Sequence, residues 1–210
     1  DGPGTLRLLN NTFNWVQLTS DSRINDGTMI IDGATVSVIG PTLPNFRVQS
    51  LVTNGTASLL ITNNGSLTVG NINGYARLRL GDTSSPTNSL GQQSTTNLAD
   101  IRGTLIASGV TLGYSGSTIT TNNPGEFETY TTNWNGGGAY ARLNLQGSTN
   151  TLNQINASPT KTFTEVYLDG ATINVFDGAS SSFLQGLSNV VIKSNGVKLN
   201  GANTNSIHIR

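Results

Sequence analysis

The sequence DGATVSV at residues 32–38 returns almost unchanged as DGATINV at residues 169–175. The match extends without a gap over residues 6–38 and 143–175, where nine of the 33 positions are identical. A match of this length contains several strands and the turns between them, and it keeps the same residue types at equivalent positions. The chain is therefore predicted to stack copies of one structural unit.

Shorter matches predict a further copy between these two; they pair residues 75–78 with 140–143, residues 27–35 with 103–111, and residues 58–65 with 189–196. We take the chain as a single repeat domain, residues 1–210. Its copies cover about residues 6–77, 78–142 and 143–208, and a fourth copy begins at residue 209.

The local pattern of the chain is that of β-strands. Apolar residues alternate with polar ones over short stretches, as at Leu6 and Leu8 or Val36 and Val38, and each stretch ends at Gly, Asn-Gly or Asp-Gly. No segment keeps a helical apolar spacing beyond two turns. The sequence therefore predicts an all-β protein.

Two all-β architectures fit short strands with polar turns: a sandwich or barrel of hairpins, and a solenoid of stacked coils. The ungapped repeat favours the β-solenoid, because stacking requires the same residue at the same corner of each coil. Three strand blocks in each of three degenerate copies predict about nine rungs, and a column on the order of 43 Å long at the usual strand spacing.

Composition excludes several classes of function. Only 10% of the 210 residues are charged and the formal net charge is zero. The basic residues are spread along the chain and form no basic stripe in the sequence, so we expect no nucleic-acid partner. No apolar run is long enough to span a bilayer, so we expect no membrane insertion. The absence of Cys excludes disulfides, thiolate metal sites and thiol nucleophiles.

The repeat resembles a known family. Residues 2–8, GPGTLRL, followed by Asn11-Thr12-Phe13, are similar to the first half of the autotransporter-associated β-strand repeat, and residues 27–34, GTMIIDGA, are similar to its second half. The resemblance implies a right-handed parallel β-helix of the passenger or adhesin type, secreted and displayed on a cell surface. It implies no catalytic residues.

Asp32, Asp169 and His208 are candidates for metal binding or catalysis. The two aspartates occupy the same position of the repeat, and Asp-Gly is typical of a turn in which the carboxylate accepts hydrogen bonds from nearby backbone N–H groups. His208 is the only His, which argues against a catalytic triad or a His-based zinc site. We therefore interpret all three as structural or solvated, and we predict no metal site and no cofactor.

A sharper candidate is the segment 126–140, where the middle copy departs most from the repeat. On a strand, Glu126, Glu128 and Tyr130 would share one face at a spacing of roughly 7 Å. Trp134 and Tyr140 follow, and aromatic residues beside carboxylates are typical of sugar-binding grooves. We predict a glycan-binding site at these five residues; the alternatives are a degenerate rung without function and a catalytic carboxylate pair.

The leading functional hypothesis is a structural and adhesive segment of an extracellular surface protein, without enzymatic activity. The expected partners are a surface glycan or a host receptor. A phage tail fibre or tailspike domain, displayed on a virion surface, is the first alternative, and a polysaccharide-cleaving β-helix enzyme is the second. The strand predicted at residues 207–210 would stack on the first rung of a neighbouring subunit, or mark a cut in a longer array.

Overall fold

The computed structural model of the chain describes residues 3–16, 22–40, 45–50, 55–71, 74–81, 95–113, 140–157, 163–176 and 183–201. These residues form 21 β-strands and no helix. The strands follow one another around a coil whose turns stack in parallel register. The predicted β-solenoid of the parallel β-helix class is confirmed.

The strands are numbered in chain order and grouped here by turn of the coil. The first three turns comprise β1 (Thr5–Leu9), β2 (Thr12–Val16), β3 (Ser22–Asn25), β4 (Thr28–Asp32), β5 (Thr35–Gly40), β6 (Phe46–Gln49), β7 (Thr56–Thr62), β8 (Ser66–Asn71), β9 (Gly74–Tyr75) and β10 (Arg77–Leu80). The fourth and fifth turns comprise β11 (Thr96–Ile101), β12 (Thr104–Ile106), β13 (Gly109–Leu112), β14 (Tyr140–Gln146), β15 (Thr149–Thr151) and β16 (Ile155–Ala157). The last two comprise β17 (Phe163–Asp169), β18 (Ala171–Asn174), β19 (Leu184–Gln185), β20 (Asn189–Ile192) and β21 (Val197–Asn200).

Three sheets run along the column. Sheet A has the order β1-β4-β7-β11-β14-β17-β20, sheet B the order β2-β5-β8-β12-β15-β18-β21, and sheet C the order β3-β6-β10-β13-β16-β19. Every pairing along these paths is parallel, and the short strand β9 adds one antiparallel pairing to β8. At about 4.8 Å between strands, seven turns make a column roughly 30 Å long.

The core consists of aliphatic columns that run parallel to the coil axis. One column of sheet A aligns an aliphatic residue from every turn: Leu8, Ile31, Ile61, Ile101, Leu145, Leu168 and Ile192. Five of its members are no more than 2% exposed, whereas Ile192 in the last turn is 58% exposed. The members that lie between two turns are almost completely buried by them, which is why aliphatics recur at the same position of each turn.

Sheet B has a similar inner column, with one polar exception. Asn150 lies between Leu105 and Ile173 and is fully buried. Its Nδ2 donates to Ser148 Oγ at 2.9 Å, and its Oδ1 has no hydrogen-bond partner. An unpaired buried oxygen costs stability, so this column contains a local defect.

The repeat that predicts the fold corresponds to equivalent positions of the coil. Residues 6–38 occupy the first two turns and residues 143–175 the fifth and sixth, and the matched strands of sheets A and B belong to the same sheets. Gly33 and Gly170 have φ angles of 64° and 70°, a left-handed conformation that glycine adopts without steric cost. The same backbone corner therefore recurs four turns later.

Asp32 and Asp169 both lie at a corner of the coil, but the hydrogen bonds found for their carboxylates come from side chains rather than from the backbone N–H groups that were predicted. Asp32 accepts hydrogen bonds from Asn63 Nδ2 at 2.6 Å and from Arg7 Nε at 2.9 Å. Asp169 accepts one from Asn195 Nδ2 at 2.7 Å. In both cases the asparagine belongs to the following turn, so each carboxylate links two adjacent turns at this corner.

The number of turns and the middle copy differ from the prediction. The described residues form seven turns rather than about nine, because the turns that begin at Thr56 and Thr96 are nearly twice as long as the first. Leu78, the predicted start of the second copy, lies in sheet C, whereas Leu6 and Leu143 lie in sheet A. All three sheets share the same short aliphatic alternation, so short matches do not distinguish between them.

Candidate functional site

The predicted glycan-binding residues are only partly within the described structure. Glu126, Glu128, Tyr130 and Trp134 lie outside the described residues, as do His208 and the strand predicted at 207–210. Tyr140 begins β14 and projects from the outer face of sheet A, opposite to the buried Ala141. The grouping of these five residues stays a prediction. The position of Tyr140 directs attention to the outer face of sheet A around it.

Tyr140 lies beside a second aromatic residue. Parallel pairing of β14 with β17 places Tyr140 opposite Phe163, and their rings stack with centroids 6.3 Å apart and planes inclined by 13°. Phe163 is 52% exposed. Two stacked rings with one largely exposed form a flat apolar surface on the outer face of sheet A.

Glu165 is the polar centre of this surface. Its carboxylate accepts hydrogen bonds from the hydroxyl of Tyr140, from the hydroxyl of Tyr167 at 3.2 Å and from Asn189 Nδ2 at 3.3 Å. Three donors come from three consecutive turns, and Arg142 is its register partner on β14. The carboxylate is therefore held in one position by its neighbours.

These hydrogen bonds determine the charge states of the two central groups. The hydrogen bond from Tyr140 lowers the pKa of Glu165; partial burial opposes this shift, and the bonds from Asn189 and Tyr167 add to it. Burial, followed by the hydrogen bond to Glu165, raises the pKa of Tyr140 to about 12. At neutral pH the site therefore holds an ionised carboxylate beside a neutral phenol.

The last turn contributes a cation. Lys193 Nζ lies 5.0 Å from the ring centroid of Tyr167, in the geometry of a cation–π contact. We call the surface made by Tyr140, Phe163, Glu165, Tyr167, Asn189 and Lys193 the aromatic patch. It combines apolar ring surface, one acceptor and several donors within three turns.

The chemistry of the aromatic patch fits binding better than proton transfer. A glycosidase needs one carboxyl with a raised pKa to protonate the leaving group and a second carboxylate nearby. Glu165 has a lowered pKa instead. Within the described ranges, no three His, Cys, Asp or Glu residues are grouped so that they could hold a metal ion.

Sequence reasoning missed most of the aromatic patch, although a signal was present. Phe163, Glu165 and Tyr167 alternate with Thr164, Val166 and Leu168, so the three residues share the outer face of one strand. This is the same spacing that selected Glu126, Glu128 and Tyr130. The contributions of Asn189 and Lys193 carried no such signal, because only the pairing of β17 with β20 brings them to the site.

Comparisons with protein-family models, with curated proteins and with solved structures find no match to this chain. No helix in the part of the chain that the structure describes has the length and apolarity needed to cross a membrane.

Proposed function

We propose that this chain is a rigid structural segment of an extracellular surface protein and that the aromatic patch of sheet A binds glycans. The observation that carries the proposal is the pair of stacked rings, Tyr140 and Phe163, beside the ionised Glu165. Sugar rings present C–H groups on their faces and hydroxyls at their edges. An aromatic surface next to fixed polar groups matches both.

The hydrogen-bonding groups support this reading. The Glu165 carboxylate has about four lone-pair sites, and three donors of the protein occupy its two oxygens. One acceptor site is left for a sugar hydroxyl. Asn189 and Lys193 supply donors at the edge of the patch. A ligand would meet groups that are already in place, which lowers the entropic cost of binding.

The structural part of the proposal rests on the column itself. Seven stacked turns with continuous aliphatic columns give a rod in which every turn is held by its neighbours. The chain carries few charges, since only 10% of the residues are charged. Such a rod is suited to spacing and display. Display outside the cell is proposed from the resemblance to the autotransporter-associated repeat.

The test is binding of the purified chain to a panel of immobilised glycans, followed by affinity measurements on those retained. Phe163→Ala should weaken binding by about tenfold or more, because it removes the more exposed ring of the pair. Glu165→Gln should also weaken it, because the amide replaces an ionised acceptor with a neutral group. Ile39→Ala is the matched control, since Ile39 is a 39% exposed apolar residue outside the patch.

Two results would contradict the proposal. The first is a wild-type chain that is retained by no glycan on the panel. The second is equal affinity of the Phe163 variant, the Ile39 variant and the wild type. Circular dichroism of each variant establishes that the fold is intact before affinities are compared.

A further inference from the structure

The outer face of sheet B carries a ladder of hydroxyl side chains. In six consecutive turns the first outward-facing residue of the strand is Thr or Ser, and parallel register places these residues directly opposite one another. They are Thr12, Thr35, Ser66, Thr104, Thr149 and Thr172. We call these six residues the threonine ladder. Unequal intervals separate them in the sequence, so it is the stacking of turns that brings them into one line.

A second column runs beside the threonine ladder, two residues further along each strand. Its members are Asn14, Ser37, Thr68, Ile106, Thr151 and Asn174. Five of these six side chains carry a hydroxyl or an amide group. The face is therefore a two-dimensional array of polar groups, with intervals of about 4.8 Å between turns and about 6.6 Å along the strands.

The threonine ladder is accessible to solvent. Three of its members, Thr12, Thr35 and Thr149, are exposed, and the other three are half-buried. The residues that follow them on their strands, such as Val36 and Leu105, point the other way and belong to the apolar core. A ligand outside the column can therefore contact the ladder over all six turns.

Charge and aromatic surface are missing from this face. The six strands that carry the threonine ladder contain no Asp, Glu, Lys or Arg. Their two aromatic residues, Phe13 and Trp15, pack against the core. Charged polymers are recognised by charged side chains, and the faces of sugars by exposed rings. The array is therefore better suited to an uncharged ligand whose hydroxyl groups repeat regularly.

We propose that the threonine ladder and its neighbouring column bind the surface of ice. In a tetrahedral water network with O···O distances of about 2.75 Å, oxygens repeat at about 4.5 Å within a layer and about 7.3 Å perpendicular to the layers. The intervals of the array, set by the strand spacing and by the rise of two residues, match both repeats to within about a tenth. Water held on this face is therefore spaced much like water in the crystal.

Threonine is well suited to this role. Its hydroxyl group can join a water network, and its methyl group excludes water from the space beside it. Branching at Cβ restricts the rotation of the side chain, so its position is largely fixed before binding and the entropic cost is low. Val and Ile have strand propensities as high as that of Thr. Strand formation alone therefore does not explain a hydroxyl group at six successive turns.

The experiment measures two properties of the whole chain: the gap between the melting and freezing temperatures of a single ice crystal, called thermal hysteresis, and the uptake of protein into slowly growing ice. We expect the wild type to show both, and serum albumin at the same concentration to show neither. The double variant T35K/T149K should lose most of both, because two strongly hydrated ammonium groups would disturb the water on the ladder.

The controls separate an effect on the ladder from a general effect of added charge. Lys198 is the register partner of Thr172 in the last turn, so this column of the fold already accommodates a lysine. T56K adds a lysine at an exposed threonine of sheet A and should behave like the wild type. Phe163→Ala should also keep full hysteresis, because the aromatic patch lies on sheet A and this proposal does not depend on it.

Four outcomes would overturn the proposal. The first three are a wild type that matches albumin in both measurements, wild-type hysteresis in T35K/T149K, and equal losses in T35K/T149K and T56K. The fourth is a chain without hysteresis that is retained on chitin or cellulose and released by T35K/T149K, which would assign this face to a polysaccharide. Circular dichroism establishes that each variant is folded. T35K alone, at an exposed position, is the second variant for the same test.

Discussion

Leu59 and Leu60 are neighbours on β7 that test the stacking of the solenoid. Leu59 is 1% exposed and lies in the core column of sheet A between Met29 and Ala99, whereas Leu60 is half-buried on the outer face. Leu59→Ala removes three carbon atoms, worth roughly 2.4 kcal/mol at about 0.8 kcal/mol per buried methylene. Ala99 is too small to fill the space, so the cavity brings the loss to about 3 to 4 kcal/mol.

The same substitution at Leu60 should cost no more than about 1 kcal/mol. The assay is urea unfolding followed by circular dichroism and by tryptophan fluorescence; the two transitions must coincide, because stacked repeats can unfold in parts. In thermal unfolding, the Leu59 variant should melt roughly 10 °C below the wild type. Equal losses at the two positions would refute the reasoning, and a larger loss at Leu60 would indicate that β7 pairs one residue out of register.

Four further changes have defined outcomes. The free energy of unfolding should fall between about pH 10 and about pH 12, because the phenol of Tyr140 stays neutral in the folded protein and ionises in the unfolded chain. The absorbance of tyrosinate should show a titration near pH 12 in the wild type that is missing in Tyr140→Phe. The pKa of Glu165 is lower in the folded protein than its value of about 4.5 in the unfolded chain, so the ionised carboxylate stabilises the fold above about pH 4.5. This stabilisation should be lost as the pH falls through the lowered pKa, and Glu165→Gln should show a weaker dependence of stability on pH in the acid range. Asn150→Val should raise the free energy of urea unfolding by about 1 kcal/mol, because it removes a buried oxygen without a partner; a loss of stability would show that the Asn150 hydrogen bond outweighs that oxygen. Gly103→Ala should lower the free energy of unfolding by about 2 kcal/mol or more, since the added Cβ would lie 2.1 Å from the carbonyl oxygen of Gly65. An unchanged midpoint of urea unfolding would contradict this clash.

Much of the fold follows from local patterns in the sequence. The alternation of aliphatic residues in segments such as 28–32 and 35–40 predicts strands, and the Asp-Gly pairs at residues 32–33 and 169–170 mark corners where glycine is needed. The long ungapped match favours a solenoid over architectures whose turns are not equivalent. The strand alternation and the Asp-Gly pairs are local patterns, and the repeat is a match between two parts of the sequence. All three can therefore be found without a tertiary structure.

The count of turns did not follow from the sequence, for a physical reason. A solenoid tolerates insertions at the corners of its turns, because a loop there does not interrupt the stacked strands. The turns that begin at Thr56 and Thr96 are nearly twice as long as the first, so dividing the chain into equal blocks gave more rungs than the described residues form. Short matches at residues 75–78 and 103–111 added to the error, because strands of different sheets have similar patterns.

The candidate sites were less predictable than the fold. The spacing of Phe163, Glu165 and Tyr167 on one strand can be found in the sequence. Their contacts with Tyr140 and Asn189 depend on which strands pair and in which register. The predicted set at 126–140 shares only Tyr140 with the aromatic patch.

The sequence by itself determined that this protein is a stack of β-strand turns with aliphatic columns inside and few charges outside. Both the alternation of aliphatic residues and the repeat can be read from the sequence. A stacked coil accommodates both, because it buries the alternating aliphatics of each turn against the equivalent residues of the next turn. The tertiary structure alone decided which outward side chains are neighbours. Parallel register between turns places Tyr140 beside Phe163 and aligns Thr35 with Ser66 and Thr104. Connections of unequal length separate these residues in the chain, so their sequence spacing carries no trace of the surfaces they form.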